Sequence, residues 1–232
     1  LVDKVVHIDY MKISNKPTGH AIIEVDQSGQ NHILLYGGTN KEIDFEYIDE
    51  VLSHFSKGDI VVLQNEINNV PYIIERCYEK EMKIFFNAAP YDIAVKNYPI
   101  EKVTWLVVNE TEGAALSNEE DYEKIIQTLK QKYPHTHILF TMGKEGSRAY
   151  YKNFRVEQPG FTVKAIETTG AGDTFCGCSI NGVLKYGLDN LDEAKLKEIL
   201  TYANAGAALI TMKKGAIRSM PEPENIKELI GK

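Results

Sequence analysis

The chain has 232 residues, 43% apolar and 25% charged, with 26 Lys and Arg against 33 Asp and Glu for a formal charge of −7. That balance suits one globular domain, or a domain with a small appendage, and excludes a disordered chain. The negative sign and the lack of a long Lys/Arg block argue against nucleic acid as a partner, and no run of about 18 apolar residues is present to cross a bilayer.

Two short β-like runs open the chain, Ala21–Asp26 and His32–Tyr36, with a glycine-containing turn cluster over Gln27–Asn31 between them; the pattern predicts a hairpin. From Ile43 the period changes. Ile48, Val51, Leu52 and Phe55 share one helical face, and Lys57-Gly58 stops that helix. Asp59–Leu63 is a continuous apolar run, predicted as a buried parallel strand. A helix through Val70, Ile73, Ile74 and Cys77 follows, then strands at Lys83–Phe86 and Val103–Val108, a helix through Tyr122, Ile125, Ile126 and Leu129, and a strand at His137–Thr141. This alternation predicts a mostly parallel sheet with helices on both faces. Ala149–Tyr151 and Phe154–Val156 read as an antiparallel extension. Two helices, Ala171–Tyr186 and Ala194–Met212, are expected to close the chain, with Lys213-Lys214-Gly215 as the final stop.

Cys77, Cys176 and Cys178 are odd in number and have no zinc or CxxC spacing, so they are expected as packed thiols in a reducing cytoplasm. No signal-peptide pattern opens the chain, and it starts on Leu1 rather than Met, so it is expected to be part of a longer protein. The six histidines are scattered and no HExxH occurs, which argues against catalytic zinc; His54 and His137 read as surface or packing residues.

In open α/β sheets, ligands bind beyond the carboxyl ends of the strands. The polar residues there are Glu66, Asn87, Asn109, Glu112 and the Thr141-Met142-Gly143 corner. The sharpest segment is Glu167–Phe175, where Gly170, Ala171 and Gly172 lead into a helix. Amides at a helix N-terminus are unpaired and partly positive, and glycines let an anion approach them. Asp173 lies in the first turn beside them. A carboxylate next to such amides can take a hydroxyl proton while the amides stabilise a moving phosphoryl group. The bland alternative, in which Asp173 favours the helix dipole and the glycines turn the chain, would stand if this segment were alone.

It is not alone. TTGAGDTF over 168–175 with Gly177 resembles the C-terminal signature of the ribokinase-like, PfkB-type carbohydrate kinases. Asn109-Glu110-Thr111-Glu112 resembles their NxxE motif, Thr141–Gly146 their TxGxxG segment, Thr18–Ala21 their lid strand, and Lys214-Gly215-Ala216 with Ser219-Met220-Pro221 their C-terminal KGA stretch. The resemblance implies a three-layer α/β/α fold with a mostly parallel sheet and a small β lid. It implies a lid region over residues 1–40, incomplete at its start, and a nucleotide- and substrate-binding region over 41–232.

The resemblance also implies roles. Asp173 would be the general base, with Gly170, Ala171 and Gly172 as the anion hole. Asn109, Thr141, Met142, Gly143, Lys144, Glu145, Gly146 and Asn204 would hold ATP, and Glu66 would touch the sugar. Glu112 would organise Mg²⁺ through water. K⁺ would be held by Glu167, by carbonyls of Thr169, Ile210, Lys213 and Gly215, and by Ser219; the family usually has Asp where Glu167 stands.

Within the family the likeness is greatest to ribokinases, implying transfer from ATP to the primary hydroxyl of D-ribose and a homodimer paired through the lid. Another sugar or nucleoside kinase, fructokinase-like, is the alternative, as is a catalytically silent nucleotide-binding fragment. The family's earlier strand with a sugar-binding Asp, and its GG segment, have no counterpart in this chain; they are expected in the longer parent, and the chain by itself would have an exposed sheet edge and half a sugar pocket. A P-loop kinase is excluded because GxxxxGK[ST] does not occur. A dinucleotide oxidoreductase is disfavoured by the lack of GxGxxG after a first strand.

Overall fold

The computed structural model describes residues 6–25 and 31–231. Strands β1 (His20–Val25) and β2 (Asn31–Tyr36) form an antiparallel two-stranded sheet of their own, with His20 opposite Tyr36. The turn expected over Gln27–Asn31 lies, apart from Asn31, outside the described residues.

The second sheet has six strands in the order β3-β4-β5-β6-β7-β8. β3 (Ile60–Gln64), β4 (Lys83–Asn87), β5 (Trp105–Asn109) and β6 (His137–Thr141) are parallel; β7 (Gly146–Tyr151) and β8 (Phe154–Pro159) extend it antiparallel. Successive strand residues face opposite sides. Phe86, Leu106, Val108, Ile138 and Phe140 point to one layer, and Phe85, Trp105, Val107 and Leu139 to the other. Each such fully buried large side chain contributes about 1.5–3 kcal/mol.

The first layer contains α1 (Phe45–Ser53), α2 (Val70–Glu79), α3 (Glu110–Ser117) and α4 (Tyr122–Lys132). The second contains α5 (Ala171–Tyr186) and α6 (Glu193–Ile210). Asp44, Asp121 and Asp192 cap α1, α4 and α6 by accepting from backbone N–H groups three residues on. This is the three-layer α/β/α fold with a small antiparallel lid.

Four expectations need correction. Asp59–Leu63 is no fully buried strand. β3 is an edge strand, and Val62 is 52% exposed on it. α3 was not expected, because Gly113, Ala114 and Ala115 give it little apolar pattern. A third closing helix, α7 (Pro223–Ile230), follows α6; only its Ile226 is buried, too little to mark a periodic face. Finally, α6 stops at Ile210, so Lys213-Lys214-Gly215 belongs to a loop beyond the helix.

The three cysteines are free thiols, two buried and one half-buried. No helix among the described residues is long and apolar enough to cross a membrane.

Candidate active site

The parallel strands end on Gln64, Asn87, Asn109 and Thr141, along one edge of the sheet. The N-terminus of α5 meets that edge. Its N-cap is Gly170, at φ +81°, with no side chain to occupy the first-turn amides. The Ala171 N–H donates to the Thr168 carbonyl. The N–H groups of Gly172 and Asp173 come next, in the first turn where no intrahelical acceptor exists. Of the three residues expected to form the anion hole, Ala171 therefore has its amide engaged within the chain. Asp173 is exposed, and its Oδ1 accepts a 2.8 Å hydrogen bond from Gln64 Nε2 at the tip of β3. Glu66 is exposed on the turn after β3.

A cavity of about 630 Å³ adjoins this turn. Asn109, Thr141, Gly143, Lys144, Gly146, Ala171, Gly172 and Asn204, all expected at the site, line it. Its remaining lining includes Glu110, which lies inside the NxxE motif, and Phe161, Val163, Ala165, Ala207 and Ala208, which no motif points to. A lysine and first-turn amides suit an anion, while the alanines and valine suit a flat apolar ring. The 160–166 stretch has no periodicity or motif, which is why the sequence did not mark it. Met142 does not line the cavity: it is 4% exposed and packs in the core. Glu145 does not line it either.

Several of these residues also hold the cavity wall together. The Asn109 side chain caps α3 by accepting from the Glu112 N–H at 2.8 Å, and Glu112 Oε2 accepts from the Asn109 N–H at 2.9 Å, a reciprocal capping box. Glu112 is buried and lies outside the cavity lining, and burial pushes its carboxyl up, partly offset by the Asn109 N–H. It fits Mg²⁺ only as a group acting at a distance through water. Asn204 Oδ1 accepts from Ser147 Oγ at 2.8 Å, and its Nδ2 donates to the Gln158 and Pro159 carbonyls, so its polar atoms brace β7 and β8. A Cβ on Gly146 would come within 2.2 Å of the Gln158 carbonyl oxygen.

The two loops proposed for K⁺ are joined beside α5. Ile166 and Glu167 N–H both donate to the Thr211 carbonyl, at 2.7 and 3.1 Å. The Gly215 N–H donates to Glu167 Oε2 at 3.1 Å. The Thr169 hydroxyl, then the Gly215 N–H and the Lys214 charge, hold the Glu167 carboxyl below its usual range. Ser219 Oγ donates to the Lys214 carbonyl at 2.7 Å, and the Ile210 carbonyl accepts from the Lys213 N–H. One carboxylate, several carbonyls and a hydroxyl suit a hard monovalent cation. No group of three or more His, Cys, Asp or Glu that could hold a metal occurs among the described residues.

Residues 1–223 match the profile described as pfkB family carbohydrate kinase. The chain belongs to the pfkB family of carbohydrate kinases. A ribokinase of Arabidopsis thaliana is 28% identical over 235 residues, covering 97% of this chain; the chain spans 60% of that relative's length. A probable fructokinase-5 from the same plant is 44% identical over a shorter stretch, 40% of this chain and 29% of the relative. The solved structure of Arabidopsis thaliana ribokinase complexed with ribose and ATP superposes with a TM-score of 0.79 at 26% identity, covering 97% of this chain and 73% of that one. Gln64, like Phe161 and Val163, is a site residue that no motif of the family points to. The partner of Gln64 lies 109 positions away, so only the fold brings the two together.

Proposed function

We propose that the chain carries the nucleotide-binding and catalytic machinery of an ATP-dependent kinase that phosphorylates the primary hydroxyl of a sugar, with ribose as the first candidate. The observation that carries this is a carboxylate on the first turn of a helix whose cap has no side chain, beside a cavity whose lining combines a lysine and first-turn residues with apolar side chains. In the reaction, Asp173 accepts the proton of the attacking hydroxyl. The new bond forms between that oxygen and the γ-phosphorus, the bond from γ-phosphorus to the β,γ-bridging oxygen breaks, and ADP leaves. The Gly172 and Asp173 amides and Lys144 would stabilise charge on the moving group. Glu66 would hold sugar hydroxyls. Bound Mg²⁺ would neutralise phosphate charge, with Glu112 acting on it through water. K⁺ would fix the loop carrying Gly170 through Glu167, Thr169, Ile210, Lys213, Gly215 and Ser219.

Ribose is favoured because the likeness to a ribokinase runs over nearly the whole chain. Fructose is the second reading, favoured by the higher identity to a fructokinase over a shorter stretch. Ile22 and its cross-strand partner Leu34 share one face of the hairpin and are 57% and 50% exposed, which supports pairing of two copies through the lid.

A coupled ADP-release assay with D-ribose and D-fructose, run on the wild type and on Asp173→Asn, tests the reading. Loss of the base should cut kcat by about 10³-fold, within the range general-base removal produces, while ADP affinity by calorimetry stays unchanged. A variant with near-normal kcat would refute the role. The ratio of kcat/KM for the two sugars decides between them.

A further inference from the structure

We infer that Gln64 is a positioning residue for the Asp173 carboxylate; this rests on the reading of Asp173 as the base. Gln64 is the last residue of the edge strand, and in the sheet register it stands beside Asn87. The two neighbours behave differently. Asn87 Oδ1 turns back on its own loop to accept from the Ala89 N–H. The Gln64 side chain instead leaves its strand and donates to Asp173 Oδ1 at 2.8 Å.

The bond answers a problem set by the position of Asp173. A carboxylate in a first helical turn is drawn to the unpaired amides of that same turn and to the positive end of the dipole. Folding back onto them would take the base away from the hydroxyl. It would also fill the anion site with the enzyme's own charge. A donor fixed to the end of a strand ties Oδ1 to the sheet edge, and Oδ2 would then be the oxygen that takes the hydroxyl proton. A neutral amide suits this work. A lysine or arginine would give a stronger, charge-assisted bond and would stabilise the carboxylate against taking up a proton. Gln64 thereby keeps the proton acceptor and the anion-binding amides apart on one helix turn.

The test uses Gln64→Met, which keeps side-chain length and cannot donate. With ATP, Mg²⁺ and whichever of D-ribose or D-fructose the wild type turns over faster, kcat should fall about 10- to 100-fold, the range for a misaligned reacting group, while KM for both substrates stays within about threefold. In an Asp173→Asn background the same change should cost nothing further, since its effect passes through the carboxylate. A second measurement needs no turnover. The side-chain amide ¹H–¹⁵N pair of Gln64, assigned by its loss in Gln64→Met, should move in Asp173→Ala. Wild-type kcat in Gln64→Met, a further loss in the double variant, or an unmoved amide pair would each overturn the assignment. If Asp173→Asn turns over normally, the base reading fails and this inference with it. If Asp173→Asn is inactive and Gln64→Met is not, only this inference fails.

Discussion

At Gly170 the backbone has φ +81°, and a Cβ would stand 3.0 Å from Ile210 Cδ1 and 3.3 Å from Ala216 Cβ. Glycine is there because the chain must turn left-handed into α5 against the loop that follows α6. Gly172, two residues on, has neither reason. Its φ lies outside the left-handed region, and an added Cβ meets nothing within 4 Å. Helix propensity alone would favour alanine at that position by about 1 kcal/mol. What remains is a ligand that comes close to the backbone. Gly170→Ala should therefore destabilise the fold by about 1–2 kcal/mol from strain and crowding. Gly172→Ala should melt no lower than the wild type yet lose about tenfold or more in kcat/KM for ATP, the methyl standing where phosphate approaches the amides. Thermal melts and the ADP-release assay read the two effects separately, and wild-type turnover in Gly172→Ala would remove the ligand argument. The sequence brings both glycines forward together, since a motif gives spacing only; φ and the neighbours across the loop tell them apart.

Strands β3 to β6 and helices α1, α2, α4, α5 and α6 are legible in the sequence because their apolar residues repeat at the period of the element and sit between turn residues. α3 and α7 are not, since each buries little that is large. The edge position of β3 is not legible either: an apolar run reads as buried until the strand order is known. His137, the first residue of β6, shows what packing adds to such a reading. Its ring lies 4.9 Å from that of Trp105 and 4.4 Å from that of Tyr151. Burial first, then the charges of Lys152 and Lys83, press its pKa down from 6.5 to about 4. The folded state thus favours the neutral ring. Its contribution to stability is full above the unfolded pKa near 6.5 and is lost as pH falls from there toward 4, for a maximum of about 3 kcal/mol. Replacing His137 by Phe removes the titration. Denaturant unfolding between pH 4 and 7 should then give a shallower loss of stability than in the wild type. Parallel pH profiles for the two proteins would show that the imidazole is not the group responsible.

Across the whole molecule, the site divides along the chain. Every residue lining the cavity falls between Asn109 and Thr211, whereas Gln64 and Glu66, which the proposed reading sets beside the acceptor hydroxyl, come from the edge strand β3 and the turn after it. The hairpin stands apart from both in its hydrogen bonding: β1 and β2 pair only with each other, and neither joins the six-stranded sheet. Nucleotide binding should therefore be separable from the lid. His20 and Tyr36 are cross-strand partners, so their Cα atoms lie about 5 Å apart and a two-residue Gly-Gly link can join them after excision of 21–35. The shortened protein should bind ADP within about twofold of the full chain by calorimetry, because mass action on the cavity is untouched. Sugar-dependent turnover should fall if the hairpin closes over the acceptor as proposed, since such a lid would exclude water and hold the acceptor in place. A loss of ADP affinity beyond tenfold would mean that the hairpin helps build the nucleotide cavity. Unchanged turnover would mean that it does not cover the acceptor at all.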